Sequence, residues 1–113
     1  MFKVLVFVKR KPGMSQDEFR TYYETRHTAL IAEVAPPPGT YRRNFLMMGD
    51  AANVGAGDPD FDVVTEMEFA DRGEYARWLE ALTAPGSRAR LEADESNFID
   101  RQKFRVCVVE VEQ

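Results

Sequence analysis

The chain contains a single cysteine, Cys107, and a single histidine, His27, among its 113 residues. One cysteine excludes an intrachain disulfide and a site built from several thiolates. One histidine cannot supply a multi-histidine metal site within one chain, and no His/Cys cluster shows metal-ligand spacing. A single axial ligand to haem stays possible, but no other residue pattern indicates it. We therefore predict a protein that uses no cofactor.

Long hydrophobic runs and concentrated positive charge are also absent. No stretch approaches the roughly 20 apolar residues that cross a bilayer, and the opening MFKVLVFV lacks the flanks of a signal peptide. The net charge is −4, and the basic runs at 9–11 and 42–43 are too short to follow a nucleic-acid backbone. No glycine-rich phosphate loop or dinucleotide fingerprint occurs. The sequence predicts a cytoplasmic protein without nucleic-acid or membrane partners.

The composition is that of one folded domain over residues 1–113, with 44% hydrophobic and 30% charged residues. Hydrophobic periodicity, capping boxes and Pro/Gly breaks predict where its elements lie. The predicted elements are a strand at Phe2–Val8, a helix from the Ser15 capping box to about Glu33, a strand at Tyr41–Met48, a flexible loop at 49–60, a strand at Phe61–Phe69, a helix opened by a capping box at Asp71, a helical stretch at Arg88–Phe98, and a strand at Phe104–Val111.

The order βαββαβ predicts an α+β protein of the ferredoxin-like class, with both helices on one face of a four-stranded antiparallel sheet. The first strand is nevertheless apolar on both faces: Val4 and Val6 lie on one, Leu5 and Phe7 on the other. An uncovered apolar sheet face predicts a partner. Two such sheets packed face to face would form a barrel, so the pattern predicts a homodimer.

Two segments, one near each end of the chain, carry a family pattern. The opening segment is VKRKPGMSQDEFRTYYETRH (8–27), with Lys9, Arg10, Pro12, Gly13, Ser15, Phe19, Tyr23 and His27, and the closing segment is DESNFIDRQKFRVCVVEV (94–111), with Asp94, Glu95, Phe98 and Asp100. Through these residues the chain resembles the EthD-like family of dimeric α/β-barrel proteins. The resemblance implies a ferredoxin-like homodimer with a pocket between sheet and helices. The wider superfamily includes polyketide cyclases, dehydratases, decarboxylases, lactone isomerases and cofactor-free monooxygenases, so the reaction stays open.

His27 and Tyr23 are the candidate catalytic residues. In a regular α-helix His27 lies roughly 80° from the centre of the apolar face marked by Phe19, which is an edge position. An imidazole there can act as acid or base near neutral pH, or it can be a structural group bonded to a backbone carbonyl. Tyr23, one turn earlier, can orient the imidazole or donate to a substrate oxygen, or it can simply pack in the core.

The predicted substrate-binding residues are Lys9, Asn44, Asp62 and Phe7. Lys9 ends the first strand, where a cation can hold a carboxylate or enolate oxygen. Asn44 and Asp62 are polar groups on the second and third strands, and the sequence leaves open which face they take.

Three acidic residues near the C-terminus, Asp94, Glu95 and Asp100, are interpreted as a capping and surface set around Phe98. Cys107, in the last strand, is interpreted as an inert buried thiol.

These observations favour a cofactor-independent acid/base enzyme that acts on a small carbonyl-containing, cyclic or aromatic molecule. His27 would move a proton while Tyr23 or Lys9 steadies the developing oxyanion. Dehydration, cyclisation, decarboxylation and isomerisation all fit, in secondary metabolism or aromatic catabolism. The alternatives are a cofactor-free monooxygenase and a non-catalytic accessory protein that binds a small hydrophobic molecule.

Overall fold

The computed structural model describes all residues from Met1 to Gln113. The strands are β1 (Phe2–Val8), β2 (Thr40–Phe45), β3 (Val63–Phe69) and β4 (Arg105–Val109), and the helices are α1 (Gln16–Tyr22), α2 (Thr28–Val34), α3 (Arg72–Thr83) and α4 (Pro85–Glu95). A π-helical turn, Tyr23–His27, joins α1 to α2 without a break. The predicted α+β class and element order are confirmed.

The four strands form one antiparallel sheet in the order β2-β3-β1-β4. β1 lies inside this sheet, and Val6 is paired with Thr65 on one side and Val106 on the other. The alternation predicted for β3 is also confirmed, because Val63 and Thr65 are buried on the face that the helices cover. This face of the sheet forms the floor of the core.

Several element boundaries differ from the prediction. β2 stops at Phe45 and β3 starts at Val63, so the connection between them spans 46–62 and is longer than the predicted loop at 49–60. α4 starts at Pro85, three residues before the predicted start. A proline fits the first helical position because its missing N–H has no intrahelical partner there.

The helices lie on one face of the sheet only, and the opposite face, which carries no helix, is called the open face below. Leu5 and Cys107 are paired across β1 and β4 on this face. The expectation that Cys107 is buried is wrong: it is exposed, because β4 is an edge strand. None of the helices combines the length and the apolar character that a membrane span requires.

Candidate functional site

A cavity of about 410 Å³ lies between the covered face of the sheet and the helices. Its wall is mainly apolar, with Val6 and Met67 from the sheet and Ile31, Trp78 and Leu82 from the helices. The polar residues that line it are Tyr23, His27, Tyr41, Thr65, Thr83, Arg88, Glu92, Glu95 and Arg101. An apolar hollow with a few polar side chains has the character of a small-molecule site.

The π-helical turn brings His27 to this cavity. Each residue of an α-helix advances by about 100°, whereas the wider π turn advances each residue by less. His27 therefore returns toward the side of Phe19 instead of standing at the edge where a regular helix would place it. Its side chain is only 14% exposed, and its ring lies 5.0 Å from that of Tyr23 and 5.1 Å from that of Phe98 between centroids.

A buried carboxylate holds one nitrogen of the imidazole. His27 Nδ1 lies 2.6 Å from Asp94 Oδ2, and the Tyr22 hydroxyl donates to Asp94 Oδ1 at 2.9 Å. Because a carboxylate only accepts hydrogen bonds, Nδ1 carries a proton. In the neutral imidazole Nε2 is then the basic nitrogen, and no protein group is hydrogen-bonded to it. This arrangement suits a general base that faces a ligand.

The assignment of Asp94 to the surface is therefore corrected. Asp94 is 8% exposed, since α4 turns its carboxylate inward toward His27 and Tyr22. The two members of the pair are 67 positions apart, so spacing alone gave no sign of the contact. The one available signal was that both residues belong to the segments that carry the family resemblance.

Three hydroxyl groups form another part of the cavity wall, and we call them the hydroxyl cluster: Tyr23, Thr65 and Tyr41. The Tyr23 hydroxyl and Thr65 Oγ1 are 2.7 Å apart. Burial raises the pKa of both tyrosines, which keeps the phenols protonated. The sequence analysis did not identify Thr65 and Tyr41 as site residues. The one sign of such a role was that Thr65 is a polar residue on the otherwise apolar face of β3.

Two Arg–Glu pairs complete the polar wall. Arg88 Nε lies 3.2 Å from Glu92 Oε1, and Arg101 Nε lies 4.0 Å from Glu95 Oε1. Burial raises the pKa of the Glu95 carboxyl, while Arg101 and His27 oppose that shift. No cluster of three or more His, Cys, Asp or Glu side chains has the geometry to hold a metal ion.

Lys9 and Asp62 lie together but outside this cavity. Asp62 is 3% exposed; it accepts from the backbone N–H of Arg10 and from its guanidinium, both at 2.8 Å. Lys9 Nζ lies 3.9 Å from the same carboxylate. The cluster joins the end of β1 to the start of β3.

Asn44 and Phe7 are on the open face of the sheet. Asn44 donates to the Val64 carbonyl at 3.0 Å, and the Phe7 ring packs edge-on against Phe61 with 5.1 Å between centroids. The structure therefore brings His27 and Tyr23 together at the cavity but places the other four predicted site residues elsewhere. Substrate binding by those four residues stays a prediction.

The fold is shared with several solved structures of low sequence identity. An ethyl tert-butyl ether D (EthD) family protein of Bacillus halodurans superposes with a TM-score of 0.66 at 16% identity, over 99% of this chain and 100% of that one. A protein of Arabidopsis thaliana gives 0.65 at 13% identity, over 100% and 97% of the two chains. An antibiotic biosynthesis monooxygenase gives 0.58 at 16% identity, with both chains covered completely.

No curated protein matches the sequence. The EthD domain model, by contrast, matches residues 11–102, which include the π-helical turn, the hydroxyl cluster and α4. The matched range therefore contains both His27 and Asp94. This chain belongs to the EthD domain family.

Proposed function

We propose that the protein is a cofactor-independent acid/base enzyme for a small carbonyl-containing, cyclic or aromatic molecule bound in the cavity. The observation that carries this proposal is that His27 lies in the wall of an apolar cavity while Asp94 holds its ring from outside that wall. Nδ1 is held at 2.6 Å by a buried carboxylate, which leaves Nε2 as the basic atom. The apolar wall accommodates a ring or an acyl chain.

The proposed chemistry begins with proton transfer from carbon. His27 Nε2 takes a proton from the carbon next to the carbonyl group, and Asp94 stabilises the imidazolium that forms. The electrons of the broken C–H bond move to the carbonyl oxygen and generate an enolate. Return of the proton to another carbon gives isomerisation. If the next carbon carries a hydroxyl group, the enolate electrons form a C=C bond as the C–O bond breaks, and the imidazolium protonates the leaving hydroxyl group to give water, which is dehydration.

The hydroxyl cluster supplies a donor for the enolate oxygen. The Tyr23 hydroxyl is hydrogen-bonded to Thr65 and also to the Tyr41 hydroxyl. Three hydroxyls linked in this way use two of their protons for one another and keep the third. We propose that this third proton is donated to the substrate oxygen, since a donor placed where negative charge develops lowers the barrier. Tyr23 thus keeps the role predicted from sequence, with Thr65 and Tyr41 as its partners.

We further propose that the working form is a homodimer through the open face. Leu5 and Cys107 lie there as a pair, and Phe7 and Val64 are a second pair on the same face. Lys3 and Glu66 form an ion pair of 3.3 Å beside them. A second copy of the same sheet would cover these apolar side chains.

Deuterium exchange into a simple ketone tests the proton-transfer step. The probe is 1-tetralone in D2O, with loss of the C2 proton signal followed by NMR. The wild-type protein is expected to accelerate exchange over buffer, and His27→Ala to lower the enzymatic rate by roughly 100-fold or more, the usual contribution of a general base.

Thr21→Ala is the matched control, because Thr21 lies in the first turns of the same helical segment and is exposed. This variant is expected to exchange 1-tetralone at the wild-type rate. Equal rates for wild type and His27→Ala would contradict a catalytic role and favour a protein that only binds its ligand. Oxygen uptake in the same assay would point to the monooxygenase alternative.

A further inference from the structure

Glu95 is a carboxylate in the cavity wall that lacks hydrogen-bond donors. It is the last residue of α4 and follows Asp94 directly, and its side chain is 24% exposed. Its cationic partner, Arg101, holds Nε 4.0 Å away, which is beyond hydrogen-bond length. No protein group donates a hydrogen bond to this partly exposed carboxylate, so it can accept one from a ligand in the cavity.

Glu92 provides a contrast on the same helix. It also lines the cavity, but Arg88 Nε donates to its carboxylate at 3.2 Å. Of these two glutamates in the cavity wall, Glu95 is therefore the one that accepts no hydrogen bond from a protein group.

The charges around the cavity indicate that this donor belongs to an uncharged molecule. Arg88 and Arg101 are each matched by one glutamate, Glu92 and Glu95. The Glu95 carboxylate would repel a ligand with a carboxylate group. The Arg101 guanidinium would repel a ligand with an ammonium group. An uncharged hydroxyl group is repelled by neither residue, and its O–H can donate a hydrogen bond to the Glu95 carboxylate.

We infer that Glu95 makes the cavity selective for uncharged ligands that carry a hydroxyl group, by accepting a hydrogen bond from that group. The inference rests on the proposed function, because it takes the cavity beside His27 as the ligand site. It narrows the substrate class to hydroxylated carbonyl compounds. The carbonyl oxygen is bound by the hydroxyl cluster and the hydroxyl by Glu95.

Calorimetric titration at pH 6 with three probes of nearly the same shape tests this selectivity. The probes are 1-tetralone, 7-methoxy-1-tetralone and 7-hydroxy-1-tetralone, of which only the last has an O–H donor. Wild-type protein is expected to bind the hydroxy compound roughly tenfold more tightly than the methoxy compound, as a hydrogen bond to a charged group implies. Glu95→Gln should reduce that ratio to about threefold or less, because its neutral acceptor is weaker.

Glu80→Gln is the matched control, since Glu80 is exposed on α3 and lies outside the cavity wall. It is expected to keep the wild-type preference for the hydroxy compound. An equal preference in Glu95→Gln and wild type, or no preference in wild type, would overturn the inference.

The tetralone exchange assay separates this failure from a failure of the proposed function. Catalysed exchange of 1-tetralone without any preference for the hydroxyl would leave the acid/base enzyme in place and remove the role of Glu95. Absence of both binding and exchange for all three probes would contradict both.

Discussion

His27 is the only histidine of the chain, so NMR can observe this candidate catalytic residue without overlapping signals from other imidazoles. Every histidine side-chain signal in an NMR spectrum must come from His27. The contact with Asp94 fixes which ring nitrogen carries the proton, and the free nitrogen is the one that would act on a ligand. The tautomer is therefore a measurable consequence of the pair.

We predict that Asp94→Asn weakens the preference for the Nδ1-protonated tautomer, because an amide can either accept from Nδ1 or donate to it. Nitrogen-detected NMR of the imidazole is expected to show one dominant tautomer in wild type and a mixture in the variant. Exchange of 1-tetralone should slow by roughly tenfold or more. Asp100→Asn, a matched change at a carboxylate that only bonds a nearby backbone N–H, should alter neither measurement. A single unchanged tautomer in Asp94→Asn would contradict the role given to the pair.

At this scale the sequence identifies His27 and Tyr23 but not their partners. Helical spacing alone places His27 at the edge of the apolar face, and the family resemblance makes it the catalytic candidate. Asp94 looks like one more acidic residue in a polar helix, because burial of a carboxylate depends on a contact formed only in three dimensions. Thr65 and Tyr41 have strand-typical side chains that sequence patterns do not distinguish from core.

Asp62 acts between elements, where it joins the end of β1 to the start of β3. It is nearly fully buried and bonds both the backbone and the side chain of Arg10. Removing one partner of a buried ion pair leaves the other charge uncompensated.

We predict that Asp62→Ala lowers the free energy of unfolding by on the order of 3 kcal/mol, measured by urea denaturation. Asp60→Ala is the matched control: Asp60 pairs with Lys103 at 2.8 Å but is 66% exposed. Its loss should lower the free energy of unfolding far less than the loss of Asp62, because water screens an exposed ion pair. Unchanged stability in Asp62→Ala, together with weaker binding of 1-tetralone, would instead support the substrate-binding role predicted from sequence.

The elements themselves are largely readable from the sequence. The capping box predicted at Ser15 is confirmed. At the second predicted box Asp71 accepts from the Glu74 N–H, but the Glu74 carboxylate accepts from the Ala70 N–H, so Asp71 caps its helix without the reciprocal bond. The π-helical turn is not readable, because YETRH is compatible with an ordinary α-helix. That one wide turn decides the direction of His27, so the residue most important to the proposal depends on the least predictable element.

The open face results from the fold as a whole, because every helix packs on the other side of the sheet. It is apolar at Leu5, Phe7 and Val64. Strand alternation alone predicted this face, since period-two patterning divides any strand between two sides of a sheet.

We predict that the wild-type protein sediments as a dimer and that Leu5→Glu shifts it to monomer. A charge at the centre of the open face would be buried twice in a two-fold interface, which should raise the dissociation constant at least about 100-fold. Ala76→Glu, on the exposed side of α3, is expected to remain dimeric. A wild-type protein that sediments as a monomer at high concentration would contradict the proposed homodimer.

The cavity draws its wall from all four strands, the π-helical turn and every helix except α1. Any molecule that fills it therefore touches nearly every element whose packing is lost on unfolding. Occupancy and folding become thermodynamically linked, and a ligand at 100 times its dissociation constant adds about 2.7 kcal/mol to the stability of the domain. The melting temperature of this chain is thus itself a reporter of ligand capture, whatever reaction follows.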